Sequence, residues 1–419
     1  MSTYLAGTRV NAGTQVQGGA RVRGGLSVGG GGLGPYQVIP VAGTQYAIAW
    51  LAGASYVAGE AGTPILSSSQ VNSNVRLVNN DSPHGSQTRA LVPLVGVGTL
   101  ESLLEGSTNQ LARRWSPAYT AGLITHHRTV GGTGLGTYVN GQARYATSMQ
   151  AIDDAVIEAA GSVEYIALLE GSAIFADELA AVSWATTEAA LLTLLADWQD
   201  ELVTRTGQTR RPPMVTYQLG WWQNGATPIA AGYALDQLAL ALSNPEFIIA
   251  TPAYPGNVGG DNIHLTNEGY RWLSSTLGEI LARIHVDGDT WLPLHAVNAT
   301  ASGNDVILTY SMPPDGGAVQ LNTTAYTWRS AAASGTTHGF RYIEGANPAR
   351  TVTGVVASGN TVTVTLDGAA VAGSELGYAD FGAQPPNAAS GNVCSQLVTT
   401  TADSVEIHWW AAAQRLAIT

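Results

Sequence analysis

Between residues 45 and 285 the chain alternates short apolar runs with longer amphipathic ones, and this alternation narrows its fold more than any other feature. "QYAIAWLA" (45–52), "VEYIALLEG" (163–171), "PMVTYQLG" (213–220) and "EFIIATPAY" (246–254) are short, continuous and apolar, as strands buried on both faces must be. Between and after them "MQAIDDAVIEAA" (149–160), "TEAALLTLLADWQDELVTRTG" (187–207), "YALDQLALALSN" (233–244) and "TNEGYRWLSSTLGEILARIH" (266–285) carry helical spacing. Gly207 is placed to close the second helix and Thr266 to cap the fourth. The pattern predicts an α/β domain, a parallel sheet in a three-layer α/β/α arrangement. In such sheets a site forms at the C-terminal strand ends, in the loops that lead into helices.

After residue 290 the helical pattern stops. "NDVILTYSMP", "HGFRYIEG", "ARTVTGVVASGNTVTVTLDG", "GSELGYADFG" and "DSVEIHWWAA" alternate apolar and polar residues and are broken by Gly, Pro and Asn. They predict a separate antiparallel β-sandwich, with the boundary near "DGDTWLPLHAVNA" (287–299). In "IHWWAA" (407–412) the indoles read as core. The other end of the chain is different again. Residues 9–32 repeat in sixes, with Val10, Val16, Val22 and Val28 in one phase and Gly13, Gly19, Gly25 and Gly31 in another. Read alone this is compatible with a flexible Gly-rich linker, but regular valines favour a stem that docks or oligomerises. The expected division is a stem over 1–34, an α/β domain over 35–286 and a β-sandwich over 298–419.

Composition removes several classes. The net charge is −12, and all 18 basic residues are arginine. An acidic chain lacks the clustered basic footprint that nucleic acid requires, and an anionic membrane surface is equally unsuitable. No run approaches the roughly 18 apolar residues of a bilayer span. The N-terminus lacks the basic start and apolar run of a signal peptide, so synthesis in a cytoplasm is expected. Cys394 is the only cysteine, which excludes an intramolecular disulfide framework and a Cys-based zinc site, and reads as a buried thiol.

Four loops at strand ends hold the residues that can carry chemistry. In "LAGASYVAGEAG" (51–62), Ser55 follows the first core strand, where its Oγ can project from the sheet edge. In "TVGGTGLG" (129–136), glycines such as Gly131 and Gly132 allow backbone N–H groups to approach a substrate oxygen. In "ALLEGSAIFAD" (167–177), Gly171 is the informative residue, while Glu170 and Asp177 read as solvated carboxylates. In "GGDNIHLTNEGYRWL" (259–273), Asp261 and His264 stand three apart just before a helix. The helix dipole favours the base form of such a histidine. The aspartate can curl back to hold Nδ1–H and leave Nε2 free to take a proton, the orienter and base of a serine triad. His126 and His127 precede the glycine loop and are placed to line a pocket, though with no carboxylate partner in sequence they are poor metal ligands. Trp221 and Trp222 in "QLGWWQNG" (218–225) offer either a platform for sugar rings or a packing surface for the second domain.

With "GASYVAG", "TVGGTGL", "EGSAIFAD" and "DNIHLTNEGY" on one sheet edge, residues 45–285 resemble the SGNH hydrolases (GDSL-like esterases). The branch is that close to sialate O-acetylesterases and carbohydrate acetylesterases, especially versions in bacteriophage and prophage structural proteins. The resemblance implies Ser55 as nucleophile, His264 as general base and Asp261 as its orienter. It implies oxyanion donors from Ser55 and Gly131, with Gly132 and Gly171 adjacent, and substrate contacts from Tyr56, His127, Trp221 and Trp222. No metal or organic cofactor is expected. The sequence departs from the family's pattern in three places. Ala54 replaces an acidic or amide residue, and Tyr56 stands where close relatives often have Asn. Ala173 stands where many supply an Asn side chain to the oxyanion hole, a loss worth roughly a hundred- to a thousandfold in turnover. The expected function is removal of O-acetyl groups from a cell-surface polysaccharide, capsule or lipopolysaccharide, by a spike or fibre module on a phage-like virion. The stem would contact other virion proteins and make a homo-oligomer. The rival expectation is a glycan-binding receptor module of weak or no turnover on the same fold.

Overall fold

The computed structural model describes residues 2–5, 8–11, 34–53, 55–67, 69, 71, 75–78, 90–94, 100–115, 123–127, 131–220, 223–224, 227–228, 232–261, 263–323, 337–345, 350–380, 391–401 and 404–419. Of these, 2–5, 8–11, 51, 75–78, 223–224 and 227–228 are described by backbone alone. The first two strands, β1 (Ser2–Leu5) and β2 (Thr8–Asn11), pair antiparallel. The rest of the valine hexads, 12–33, lies outside the described residues.

The α/β domain runs β3 (Thr44–Gly53), α1 (Ser55–Ala58), β4 (Val75–Val78), β5 (Ala90–Pro93), α2 (Leu103–Arg114), β6 (Leu123–His127), α3 (Ala143–Glu158), β7 (Ser162–Gly171), α4 (Ala173–Leu179) and α5 (Trp184–Thr206). It continues through β8 (Met214–Gln218), a two-residue pair β9 (Gln223–Asn224) and β10 (Thr227–Pro228), α6 (Gly232–Ser243), β11 (Phe247–Pro252) and α7 (Asn267–Ala282). Its seven-stranded sheet has the order β11-β8-β7-β3-β6-β4-β5, parallel throughout except for the edge strand β5. Every residue of β6, β8 and β11 is buried, because helices cover both faces. Helices α2 and α7 pack together on one face, and α3 and α5 pack together on the other. The four anticipated helices are present. Ser183 and Gly207 bracket α5, with Gly207 left-handed at φ 73°, and the Thr266 hydroxyl caps α7 by accepting from Gly269 N–H.

Strand β3 is the switch point of this sheet. The chain builds β6 on one side of β3 and then crosses to build β7 on the other. Doubly wound sheets place ligands outside the C-terminal ends of the strands at such a point.

The C-terminal antiparallel β-sandwich comprises β12 (His295–Ser302), β13 (Asp305–Ser311), β14 (Val319–Leu321), β15 (Phe340–Ile343), β16 (Val352–Ser358), β17 (Thr361–Leu366), β18 (Glu375–Tyr378), β19 (Val393–Thr400), β20 (Glu406–Trp410) and β21 (Gln414–Ala417). The strands form sheets β12-β13-β17-β16, β14-β19-β20 and β15-β18-β21. Alternate residues of β13 and β17 are buried, as a half-buried sheet requires. Cys394, Trp409 and Trp410 are core residues.

The two domains share a buried contact at the C-terminal ends of β8 and β11. Gln218 donates to Ala413 O at 2.9 Å and accepts from Ala413 N–H at 2.8 Å. The Tyr254 hydroxyl lies 2.8 Å from Ala411 O and 3.0 Å from the Tyr378 hydroxyl. The Arg283 guanidinium sits over the Trp409 ring, 5.0 Å from its centroid. Among the described residues no helix is long and apolar enough to cross a membrane.

Candidate active site

Ser55 is the first residue of α1, immediately beyond the end of the central strand. Its Oγ lies 2.6 Å from His264 Nε2. On the other side of the ring, His264 Nδ1 lies 2.5 Å from Asp261 Oδ2. Ser55 and His264 are 209 residues apart in sequence, and the fold of the sheet brings them together. The Asp261–His264 half is local. Asp261 Oδ1 accepts from the N–H groups of Ile263 at 3.0 Å and His264 at 2.9 Å, so the loop wraps around its own carboxylate.

Partial burial draws the Asp261 carboxyl upward. The hydrogen bonds from the His264 ring and from the Ile263 and His264 N–H groups outweigh that, and hold it below the ordinary aspartate value. An ionised Asp261 accepts from Nδ1–H and fixes the tautomer, which leaves the Nε2 lone pair facing the Ser55 hydroxyl. The His264 side chain is 13% exposed and Asp261 42% exposed, so the imidazole is nearly enclosed while the carboxylate borders solvent.

Beneath the pair lies a cluster of tyrosines. Tyr56 stacks on Tyr217 with centroids 6.0 Å apart and meets Tyr270 edge-on at 5.6 Å. Its hydroxyl donates to Ile263 O at 2.6 Å, next to His264. The Tyr270 hydroxyl donates to Glu60 O at 3.0 Å in the opposite loop. Burial pushes all three phenols well above their ordinary value, so they stay neutral. Tyr56, expected to touch substrate, is 1% exposed and corrects that expectation: its ring is buried against His264, with centroids 5.9 Å apart. His127 is corrected in the same way. It is 3% exposed on a strand buried on both faces, paired in register with Trp50. Its neighbour His126 bonds the Tyr165 hydroxyl at 2.7 Å inside the domain.

The glycine loop is tied to the strand that precedes Ser55. The Tyr138 hydroxyl donates to Gly53 O at 2.8 Å, two residues before Ser55. Gly134 leaves no room for a side chain, since a Cβ there would fall 1.8 Å from Asp177 Oδ1. Asp177 also accepts from Leu135 N–H and, at 3.1 Å, from the Thr187 hydroxyl. Gly131 and Gly132 are exposed and face open space, Gly132 at φ 69°.

Gly171 pairs in register with Gly53, and a Cβ on it would meet Val57 at 2.7 Å and Trp50 at 2.8 Å. Its lack of a side chain lets α1 settle onto the sheet. Glu170 and Asp177, expected to be solvated, are buried. Burial raises Glu170 to about 7 against hydrogen bonds from Ile174 N–H, the Thr216 hydroxyl and Ala173 N–H. Ala173 thus has no side-chain donor, and its own N–H is committed to Glu170 Oε1 at 2.6 Å. Ala54, Trp221 and Trp222 lie outside the described residues.

The residues that sequence reasoning passed over are Glu60, Tyr138, Tyr217 and Tyr270. Tyr270 lies within the quoted His264 stretch, and Glu60 lies five residues after Ser55, but neither type nor spacing marks them. They matter through contacts that cross between loops.

No protein-family model matches the sequence, and no curated protein matches it. Among solved structures, the chain is similar to a carbohydrate acetylesterase from Xanthomonas citri at 15% identity. That match covers 88% of this chain and 80% of the other, with a TM-score of 0.55. Weaker likenesses are to NanS (12% identity, 57% of this chain and 97% of the other, TM-score 0.44) and to a protein from Arabidopsis thaliana (15%, 56% and 97%, TM-score 0.40). At such identity the likeness speaks to architecture alone: a three-layer α/β/α domain with a largely parallel sheet, followed by an antiparallel β-sandwich.

Proposed function

We propose that this chain is a serine esterase that removes O-acetyl groups from a carbohydrate. The observation that carries the proposal is the continuous line Ser55 Oγ–His264 Nε2 and His264 Nδ1–Asp261 Oδ2, at 2.6 Å and 2.5 Å, at the switch point of the sheet. The Ser55–His264 contact is within the range that proton transfer needs, and the Asp261–His264 contact holds the ring in the tautomer that can accept the proton. Ser55 Oγ bonds to the acetyl carbon while its proton passes to His264 Nε2. The tetrahedral intermediate then breaks its bond to the sugar oxygen, which takes that proton. Water next gives a proton to Nε2, attacks the acetyl-serine and releases acetate, and Ser55 regains its hydrogen. The N–H groups of Ser55 and Gly131, with Gly132 and Gly171 nearby, are the proposed oxyanion donors.

The wider setting is part of the same proposal. The resemblance to phage-type modules and the valine hexads support a spike or fibre on the surface of a virion. There the stem would contact other virion proteins and hold several copies together, and the substrate would be an acetylated capsule or lipopolysaccharide. Light scattering tests the stem: the full chain is expected to be oligomeric and a chain lacking residues 1–34 monomeric.

A second reading is favoured by Ala173. With no side-chain donor and its N–H already used, the oxyanion hole loses one contact, and a glycan-binding module of low turnover would tolerate that. Acetate release from an O-acetylated polysaccharide and from an aryl acetate separates the two. Release that disappears in Ser55→Ala and His264→Ala supports the esterase. Glycan binding without release supports the receptor module.

A further inference from the structure

We infer that Glu60 sets the charge selectivity of this site, admitting esters of neutral or amino sugars and disfavouring esters whose alcohol carries a nearby carboxylate. This rests on the esterase reading and adds to it the class of the leaving group. The carboxylate of Glu60 lies 3.7 Å from His264 Nε2 and is 63% exposed, so it stands at the open side of the catalytic base. The backbone that carries it is held in place on both sides. Glu60 N–H donates to Ser55 O at 3.0 Å, and Glu60 O accepts from the Tyr270 hydroxyl. The turn that carries it is fixed at Gly59, where φ is 74° and a Cβ would fall 2.0 Å from Glu101 O. Gly62 N–H closes the turn onto Gly59 O at 2.9 Å.

His264 Nε2 must protonate the departing alcohol, so that oxygen has to come within about 3 Å of the ring nitrogen. It then lies no more than about 7 Å from the Glu60 carboxylate, and groups on the adjacent sugar carbons can lie nearer. A hydroxyl or ammonium there can donate to Glu60. A carboxylate meets Glu60 on one side of the imidazole and the ionised Asp261 on the other. For two charges at this separation near solvent, the repulsion amounts to about tenfold in rate, and salt weakens it.

The test uses two probes that differ only in charge, an O-acetylated uronic acid and its methyl ester, with an aryl acetate as reference. Wild type is expected to hydrolyse the methyl ester with a kcat/KM about tenfold above that of the acid, and the ratio should shrink in 0.5 M salt (~4 Å screening length). Glu60→Gln should bring the ratio to within about twofold of one, and Glu60→Asp should restore most of it. A purely structural role would change both probes together and leave the ratio alone. An unchanged ratio in Glu60→Gln, or no salt dependence in wild type, overturns the assignment while aryl acetate turnover keeps the esterase reading intact. No turnover of any of the three by wild type overturns both.

Discussion

The hydroxyl of Tyr56 donates to the carbonyl of Ile263 across 2.6 Å, from the residue after Ser55 to the residue before His264. Tyr270 makes the reverse connection, from the helix after His264 to Glu60 in the loop after Ser55. Two loops that meet only through folding are thus braced in both directions, directly below the 2.6 Å Ser55–His264 contact. Tyr56→Phe keeps the rings stacked on Tyr217 and removes one brace. The expected cost is about 1 kcal/mol, because Ile263 O loses its partner in a partly buried setting. With the base less firmly held, kcat on an aryl acetate should fall roughly tenfold or more while KM changes little. Equal kcat in the two proteins would mean that the brace does not set the catalytic distance.

Asp261 makes three contacts at once, to the His264 ring and to two backbone N–H groups. In Asp261→Asn the amide oxygen can still accept from the backbone, so the loop should survive. The amide NH2 would then face Nδ1 and select the tautomer with its proton on Nε2, pointing at Ser55. The expected loss is roughly 10³–10⁴ in kcat with little change in the melting curve. Steady-state kinetics alongside circular dichroism checks this. A loss confined to KM would place Asp261 in substrate binding instead.

The sequence made the Asp261–His264 contact legible because its parts are contiguous and because Thr266 announces the helix behind them. It made the parallel sheet legible because strands buried on both faces have no polar positions to confuse the pattern. Helix α2 was not legible. Its "LLEGSTNQLARR" buries Glu105, Ser107, Thr108, Asn109 and Gln110, so no apolar stripe stands out. Those groups are tolerable because α2 and α7 meet closely through glycines: a Cβ on Gly106 would fall 1.9 Å from Ser274 Oγ, and one on Gly278 2.3 Å from Ser107 O. At the same interface Gln110 and Arg114 meet the buried Glu279. The roles of Tyr56 and His127 were misjudged for a related reason. Position next to a catalytic residue says nothing of which way a side chain turns, and here both turn inward.

Glu170 gives the stability of this domain a pH dependence. Its folded value of about 7 lies above the ordinary 4.5, so the native state binds more protons than the unfolded state between those limits. Its contribution therefore falls as pH rises through that window, by roughly 3 kcal/mol at most. Glu170→Gln lacks this term, while Glu178, also raised by burial, and Asp261 are common to both proteins and cancel. Urea denaturation at pH 5, 6, 7 and 8 should show the variant gaining on wild type as pH increases. Parallel pH profiles would show that Glu170 has the same protonation in both states.

Gln218 is the joint between the two domains. Its amide nitrogen donates to Ala234 O at 2.8 Å and Ala413 O at 2.9 Å, and its oxygen accepts from Ala413 N–H at 2.8 Å. All of this is sealed from solvent, so Gln218→Ala leaves the N–H and C=O of Ala413 without the partner that Gln218 supplies. The expected destabilisation is about 3 kcal/mol. It should fall on the interface rather than on either core, because the apolar residues that fill the sheet and the sandwich are untouched. Scanning calorimetry is therefore expected to show one transition for wild type and two for the variant. A single transition at the original temperature would place the coupling in the neighbouring contacts of Tyr254 with Ala411 and Tyr378, and Tyr254→Phe would then be the variant that separates the domains.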